Sequence, residues 1–362
     1  MELSPYEVAD AALRAVVSEV LEIDDVERVE RGQAVALRYV GRLRLEAQAA
    51  YDAVAPRVRA MGFTALLQQE GDRVALLVMP PLPAARPSRL WLALLLFALT
   101  VASTVFVGGF TERGFSLAQG LGFSAALLGI LLAHELGHYI VARREGVAVS
   151  YPFFIPMPLF LLGTMGAFIS IKEPVPNRRA LLAIAVAGPL AGLVVAVPVL
   201  FLGLSLSEVR QVVPTPGSFT EGNSLLYAAM KILAFGRFLP SGGEDVYLHP
   251  VALAGWAGLL VTGLNLLPAG QLDGGHIFFA LFGPRAAQVM SMVVAVALIG
   301  LGFLWSGWFL WAVLVALLGQ QRSPLLNEVS PLRGPWRALA LLGLIVFALV
   351  FTPVPISETV VP

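Results

Sequence analysis

Residues 117–142 read LAQGLGFSAALLGILLAHELGHYIVA, an apolar run interrupted only by His134, Glu135 and His138. A membrane-spanning helix needs about 20 mostly apolar residues, so this stretch is long enough to cross a bilayer. Ionisable side chains inside such a span are costly, and they indicate a functional site. The stretch therefore predicts both a transmembrane helix and a site within it.

Five further segments contain no Asp, Glu, Lys or Arg and are long enough to span a membrane, namely residues 90–111, 180–207, 246–272, 286–321 and 338–357. The fourth is too long for one span, and we expect it to break near Trp305–Trp308. Hydrophobic residues make up 57% of the chain and charged residues 13%, against about a half and a quarter in soluble proteins. The predicted fold class is a polytopic α-helical membrane protein with about seven transmembrane helices.

Composition limits the partners, the metal chemistry and the location. The formal net charge is zero, which argues against a nucleic-acid ligand held by phosphate contacts. Because the chain has no cysteine, any metal site must use histidine and carboxylate ligands. Residues 1–25 resemble neither a signal peptide nor a transit peptide. We therefore expect an integral, multi-pass protein of a prokaryotic plasma (inner) membrane.

Residues 1–86 are predicted to form a small soluble α+β domain. Apolar residues at helical spacing indicate one helix near the start, and residues 46–61 indicate a second, which Pro56 should kink or shorten. Residues 63–69 and 74–79 flank a turn and predict a hairpin.

Arginines beside the apolar segments indicate how the chain is oriented, and they occur as Arg86 and Arg89, Arg143 and Arg144, and Arg178 and Arg179. Under the positive-inside rule they place the N-terminal domain in the cytosol and the C-terminus outside. His138 then lies about 8 Å from the cytosolic end of its helix, at 1.5 Å per residue. The active site is therefore expected near the cytosolic side of the membrane.

The segment 150–176 fits neither a helix nor an ordinary loop. Its first part contains Pro152, Pro156 and Pro158 yet is strongly apolar, and Gly166–Ile171 has the pattern of a short strand. Non-helical backbone at membrane depth is tolerated where protein or a wet cavity satisfies its polar groups. We expect a membrane-embedded β-hairpin that lines a cavity; the alternative is a loop lying on the lipid headgroups.

His134 to His138 form an H-E-x-x-H motif. In a helix, residues four apart share a face, so both imidazoles can meet one zinc ion. Glu135 is rotated by about 100° around the helix axis, where it can reach a water molecule at the metal without binding the metal. The alternative is a hydrogen-bonded cluster or proton relay within the membrane.

A catalytic zinc needs three protein ligands and an open position. Residues 265–276 read NLLPAGQLDGGH, and Asp273 is the only Asp in the apolar region 246–284. Pro268 should end or kink the helix, so the carboxylate could turn toward a neighbouring metal. The alternative is that Asp273 caps the next helix; we favour the ligand, because His134 and His138 otherwise lack a third partner.

The two motifs together resemble those of the site-2 protease family, intramembrane zinc metalloproteases with H-E-x-x-H on one transmembrane helix and N-x-x-P-x-x-x-x-D-G on a later one. The resemblance covers about residues 88–330 and implies a transmembrane metalloprotease domain over residues 87–362. It implies Zn²⁺ held by His134, His138 and Asp273, with Glu135 as general base. It further implies that Asn265 steadies the scissile carbonyl or the oxyanion, although a helix-packing hydrogen bond would explain the amide equally well.

Two other segments, Gly163–Ile171 and Ala187–Gly192, are similar to the branch with plastid ethylene-dependent gravitropism-deficient and yellow-green proteases and prokaryotic relatives. Gly188 and Gly192, four residues apart, would let another helix approach closely. The resemblance implies cleavage of single-span membrane proteins in the lipid bilayer; it leaves the oligomeric state open. The alternatives are a secondary transporter, for which no internal repeat is found, and a non-proteolytic membrane scaffold.

Overall fold

The computed structural model describes residues 5–31, 34–83, 85–111, 114–211, 219–318 and 325–358. Its helices are α1 (Pro5–Ser18), α2 (Ala47–Ala60), α3 (Leu90–Gly108), α4 (Leu117–Arg144), α5 (Arg178–Ser205), α6 (Leu225–Phe235), α7 (Pro250–Asn265), α8 (Asp273–Phe282), α9 (Pro284–Gly302), α10 (Gly307–Leu318) and α11 (Pro335–Val350). Its strands are β1 (Leu21–Arg31), β2 (Ala34–Leu43), β3 (Thr64–Glu70), β4 (Arg73–Met79), β5 (Phe110–Thr111), β6 (Gly114–Phe115), β7 (Phe153–Pro156), β8 (Thr164–Phe168), β9 (Val175–Asn177), β10 (Glu208–Gln211), β11 (Phe219–Glu221), β12 (Glu244–Tyr247), β13 (Leu325–Asn327) and β14 (Ile356–Glu358).

Among the described residues, four helices are long and apolar enough to cross a membrane, namely α3, α4, α5 and α9. Shorter apolar helices, α6, α7, α10 and α11, accompany them. These helices fit the predicted polytopic membrane protein. A count of seven spans would need some of the shorter helices as well.

Two helix ends lie where the sequence predicts them. The long apolar segment 286–321 is interrupted between α9, which ends at Gly302, and α10, which begins at Gly307. The rings of Trp305 and Trp308 pack edge to face at this break, with centroids 5.4 Å apart. Helix α7 ends at Asn265, three residues before Pro268, because proline cannot continue the hydrogen-bond ladder.

The chain divides into two compact units, of which the first contains Met1–Arg86, Glu173–Leu181 and Ser323–Arg333. Its sheet has six strands in the order β1-β2-β4-β3-β13-β9. The first four strands pair antiparallel, with β3 and β4 forming the predicted hairpin, whereas β13 runs parallel to both β3 and β9. Two short strands far along the sequence therefore complete a sheet built mainly from the N-terminal residues.

Helices α1 and α2 supply much of the apolar core of this unit, through side chains such as Leu13, Val17 and Val58. Tyr51 reaches from α2 and donates its hydroxyl proton to the Ala65 carbonyl at 3.2 Å. Burial raises the pKa of Tyr51 to about 12, because the charged phenolate would lose its hydration in this core.

The segment that carries β13 is part of the same core. Leu326 and Val329 pack against it. Asn327 is 0% exposed, and its side-chain amide donates to Ser330 Oγ at 2.7 Å while its oxygen accepts from the Val329 and Ser330 backbone N–H groups. A buried amide with its polar atoms satisfied in this way fixes the segment in place.

In the second unit, α4 packs against both α3 and α7. Thr104 of α3 and Ser124 of α4 share a hydrogen bond of 2.7 Å between their hydroxyls. Strands β7 and β8 form an antiparallel hairpin that pairs Phe153 with Phe168. At its turn, Gly163 has φ +71° and its carbonyl accepts from Ser103 Oγ at 2.5 Å, which fastens the turn to α3.

Candidate metal centre

Helix α4 places two imidazoles side by side. His134 and His138 are one turn apart and both are buried. Their Nε2 atoms lie 3.1 Å from each other. The spacing of four residues therefore produces, in the folded chain, two nitrogen atoms directed at one point.

The Asp273 carboxylate meets the same point from a different helix. Its Oδ2 lies 3.3 Å from His134 Nε2 and 3.2 Å from His138 Nε2. Asp273 is the first residue of α8, whose N-cap is Leu272, and no side-chain hydrogen bond caps this helix end. The carboxylate therefore contacts the imidazoles and does not cap α8.

Glycines allow the sharp turn that brings Asp273 into place. A Cβ atom on Gly274 would lie 1.9 Å from the Leu266 carbonyl oxygen, and one on Gly275 would lie 2.4 Å from the Gly270 carbonyl oxygen. Both contacts are with backbone, which cannot move aside cheaply. The segment between α7 and α8 can fold this tightly because these two positions lack a side chain.

The three donor atoms fit a zinc ion. Tetrahedral zinc with bonds of about 2.0–2.1 Å to His and Asp needs donor atoms about 3.3 Å apart, close to the separations seen here. His138 Nδ1 lies 2.8 Å from the Ile184 carbonyl oxygen, which can only accept. The proton of a neutral His138 therefore sits on Nδ1, and its Nε2 lone pair is directed at the other two donors. Among the described residues, these three are the group that could hold a metal.

Glu135 lies beside this group but is not part of it. The residue is 5% exposed, and the Ile169 backbone N–H, just after β8, lies close enough to its carboxylate to stabilise negative charge there. Within the described part of the chain, its Oε2 is buried without a hydrogen-bond partner. A buried carboxylate oxygen is costly to leave unpaired unless a ligand or water completes it, so this atom is available for a reacting group.

Asn265, the last residue of α7, also borders the donor group. Its Nδ2 lies 3.3 Å from His134 Nε2, and its side chain is partly exposed. The other two histidines, His249 and His276, are not part of the donor group. His249 caps the start of α7, with Nδ1 accepting from the Val251 N–H at 3.2 Å.

Two contributors to this centre are backbone groups that the sequence does not reveal, the Ile184 carbonyl and the Ile169 N–H. A third contributor, the pair Gly188 and Gly192 of α5, lies against His138 and His134 and does have a sequence signal in its four-residue spacing. The spacing predicts a close helix approach. It does not identify α4 as the helix that approaches.

A family model described as peptidase family M50 matches residues 122–306. The chain is 35% identical over 247 residues to the probable zinc metalloprotease EGY2, chloroplastic, of Arabidopsis thaliana. This alignment covers 67% of this chain and 43% of that protein. It is 32% identical over 307 residues to the probable zinc metalloprotease EGY1, chloroplastic, of Oryza sativa subsp. japonica, covering 75% of this chain and 52% of that protein. The chain thus spans about half the length of the curated relatives it matches. No solved structure matches.

These relatives overturn one prediction. A prokaryotic plasma membrane is wrong as the location, because the relatives are described as chloroplastic. The physical reason is that apolar spans adapt to a hydrocarbon core of about 30 Å, and nothing in them distinguishes one such membrane from another. The integral, multi-pass part of the prediction is supported.

Proposed function

Because the chain belongs to peptidase family M50, we propose that it is a zinc metalloprotease that hydrolyses peptide bonds within or near the transmembrane segments of membrane proteins. The observation that carries the proposal is the convergence of His134, His138 and Asp273 between helices of an apolar protein. A transporter or a scaffold is not favoured, since the matched relatives are described as zinc metalloproteases.

In the proposed mechanism, His134, His138 and Asp273 hold Zn²⁺, which supplies Lewis acidity at the scissile carbonyl when bound. Glu135 takes the proton of the attacking water and passes it to the leaving amine. Its buried oxygen beside the donor group supports this role. Asn265 donates its amide N–H to the substrate carbonyl oxygen as negative charge develops there.

We propose seven spans, the four long helices together with α7, α10 and α11. Helices α7 and α11 have 16 residues each, about 24 Å at 1.5 Å per residue. This is shorter than a hydrocarbon core of about 30 Å, so local thinning of the bilayer or flanking residues would complete each span. Residues 1–86 would form most of the soluble domain, which Glu173–Leu181 and Ser323–Arg333 complete, and the rest of residues 87–362 would form the protease domain.

The hairpin β7–β8 would lie within the membrane and hold the substrate. A helical substrate hides its carbonyl groups in backbone hydrogen bonds, so the segment to be cut must first unwind. Among the described residues, β7 and β8 pair only with each other, so β8 has an edge at which an extended segment can add as a strand. The closeness of the Ile169 N–H to Glu135 supports this proposal, because the end of this edge would then lie beside the proposed base.

Removing the metal tests the proposed function directly. We expect the purified, detergent-solubilised chain to contain bound zinc and to cut a single-span membrane protein within its apolar segment, as located by mass spectrometry of the products. A chelator should abolish cleavage and added zinc should restore it, because the donor atoms alone cannot polarise the carbonyl. Cleavage that continues in zinc-free protein, or zinc-loaded protein that cuts none of a panel of single-span substrates, would contradict the proposal.

Replacing Asn265 tests its assigned role. We expect Asn265→Ala to lower kcat by about 10²–10³-fold with little change in KM or zinc content, since a donor to the developing oxyanion acts in the transition state. Thr262→Val is the matched control on α7, because the Thr262 hydroxyl donates within its own helix to the Gly258 carbonyl. If Asn265→Ala instead lowers the unfolding temperature and leaves kcat unchanged, the amide is a packing group.

A further inference from the structure

Three positions on one face of α5 contact the two imidazoles of the metal centre. The Ile184 carbonyl accepts from His138 Nδ1 at 2.8 Å. One turn later, a Cβ atom on Gly188 would lie 2.0 Å from His138 Nε2. Another turn later, a Cβ atom on Gly192 would lie 3.3 Å from His134 Nδ1 and from His134 Cβ. Residues four apart share a helix face, so this face of α5 follows the ligand face of α4.

Helix α4 also has a small residue, Gly137, where it contacts α5. A Cβ atom on Gly137 would lie 2.5 Å from the Ala187 carbonyl oxygen and 2.9 Å from the Ala191 Cβ atom. Glycines on both helices thus let the two backbones approach closely. The close approach brings the Ile184 carbonyl within reach of the imidazole.

We propose that the Ile184–Gly192 face of α5 positions both histidine ligands for the metal. The Ile184 carbonyl holds the proton on His138 Nδ1, which leaves Nε2 free to bind the metal. Gly188 provides the space that the His138 ring occupies in this orientation, and Gly192 does the same, less tightly, for His134. The proposal rests on the proposed function, because it assigns these residues to the zinc centre.

The surroundings of Gly188 and Gly137 distinguish a residue that positions a histidine ligand from one that only lets the helices pack. A methyl group at Gly188 meets the far end of a side chain, so the His138 ring can rotate away while the helices stay packed. That rotation breaks the Ile184 hydrogen bond and turns Nε2 away from Asp273. A methyl group at Gly137 meets backbone, so there the helices themselves must separate. The first change should damage metal binding, and the second should also damage stability.

A graded glycine series in the full chain tests the proposal. The variants are Gly188→Ala, Gly192→Ala, Gly137→Ala and the control Gly129→Ala, which is on α4 and has open space around the added Cβ. For each we would measure the zinc dissociation constant by chelator competition, the absorption spectrum with cobalt(II), and the unfolding temperature of metal-free protein. We expect zinc affinity to fall about 100-fold for Gly188→Ala and about 10-fold for Gly192→Ala, the range typical of groups that orient a ligand.

Gly129→Ala should bind zinc as the parent protein does, and the metal-free unfolding temperatures of the Gly188 and Gly192 variants should stay near the parent value. Unchanged zinc affinity in Gly188→Ala would overturn the proposal, as would a loss of metal-free stability equal to that of Gly137→Ala. If Gly188→Ala does not fold, Gly192→Ala decides on the same terms. If the parent protein binds zinc but cuts no substrate, the proposed function is contradicted. The zinc affinities and unfolding temperatures of this series would still test whether α5 positions the histidines.

Discussion

Glu135→Gln is expected to leave a folded, zinc-loaded protein whose kcat is lower by about 10²–10⁴-fold, the usual contribution of a positioned general base. The amide has nearly the same shape as the carboxylate, so the packing around this buried side chain should survive. It cannot take a proton from water. Zinc content should not change, because Glu135 is not one of the three converging donors.

The measurement is single-turnover cleavage of a single-span substrate, with zinc content determined on the same preparation. Glu145→Gln provides the control, since it removes a carboxylate from the C-cap of the same helix, ten residues away from the proposed base. Activity of Glu135→Gln at the parent level would show that another group accepts the proton. Loss of zinc from this variant would show that Glu135 belongs to the ligand set.

Asp273→Asn should remove the metal itself. The Asp273 Oδ2 atom lies within 3.3 Å of both His Nε2 atoms, and it is the one carboxylate of the donor group found among the described residues. A neutral amide keeps the volume but supplies a weaker donor and no charge. We expect zinc affinity to fall by more than the roughly 10–100-fold typical of a residue that merely orients a ligand, and cleavage to become undetectable.

The matched control for this variant is His249→Asn. It removes an imidazole from the chain, yet asparagine can cap α7 as His249 does, so the helix start should remain intact. Metal analysis after dialysis, together with the cleavage assay, gives the comparison. Retention of stoichiometric zinc and activity in Asp273→Asn would mean that the two histidines find their third partner elsewhere.

Patterns within short stretches of sequence predicted several helix ends and one hairpin of the fold. The break between α9 and α10, the end of α7 before Pro268 and the β3–β4 hairpin follow from proline, glycine and apolar periodicity within short windows. The number of spans could not be fixed in the same way. Whether a 16-residue apolar helix crosses a membrane depends on its tilt and its neighbours, which no window of sequence contains.

The residues of the candidate site could be named because chemistry limits them: with no cysteine, few side chains can bind zinc. Which groups orient them could not be named. The Ile184 carbonyl and the Ile169 N–H are backbone atoms that every residue possesses, so only the packing of α5 and β8 against α4 selects them. Long-range packing likewise created β9 and β13, which have three residues each and no alternating pattern of their own.

The six-stranded sheet has a consequence for biosynthesis. Strand β3 pairs with β13, but residues 325–327 leave the ribosome about 240 residues after residue 86, which corresponds to roughly 12–48 s at 5–20 residues per second. During that interval the nascent N-terminal segment carries an open β edge, the kind of surface that recruits foreign strands. Final assembly of this sheet must therefore wait until residue 327 has been made, and a chaperone that shields β3 until then would raise the yield of correctly assembled protein.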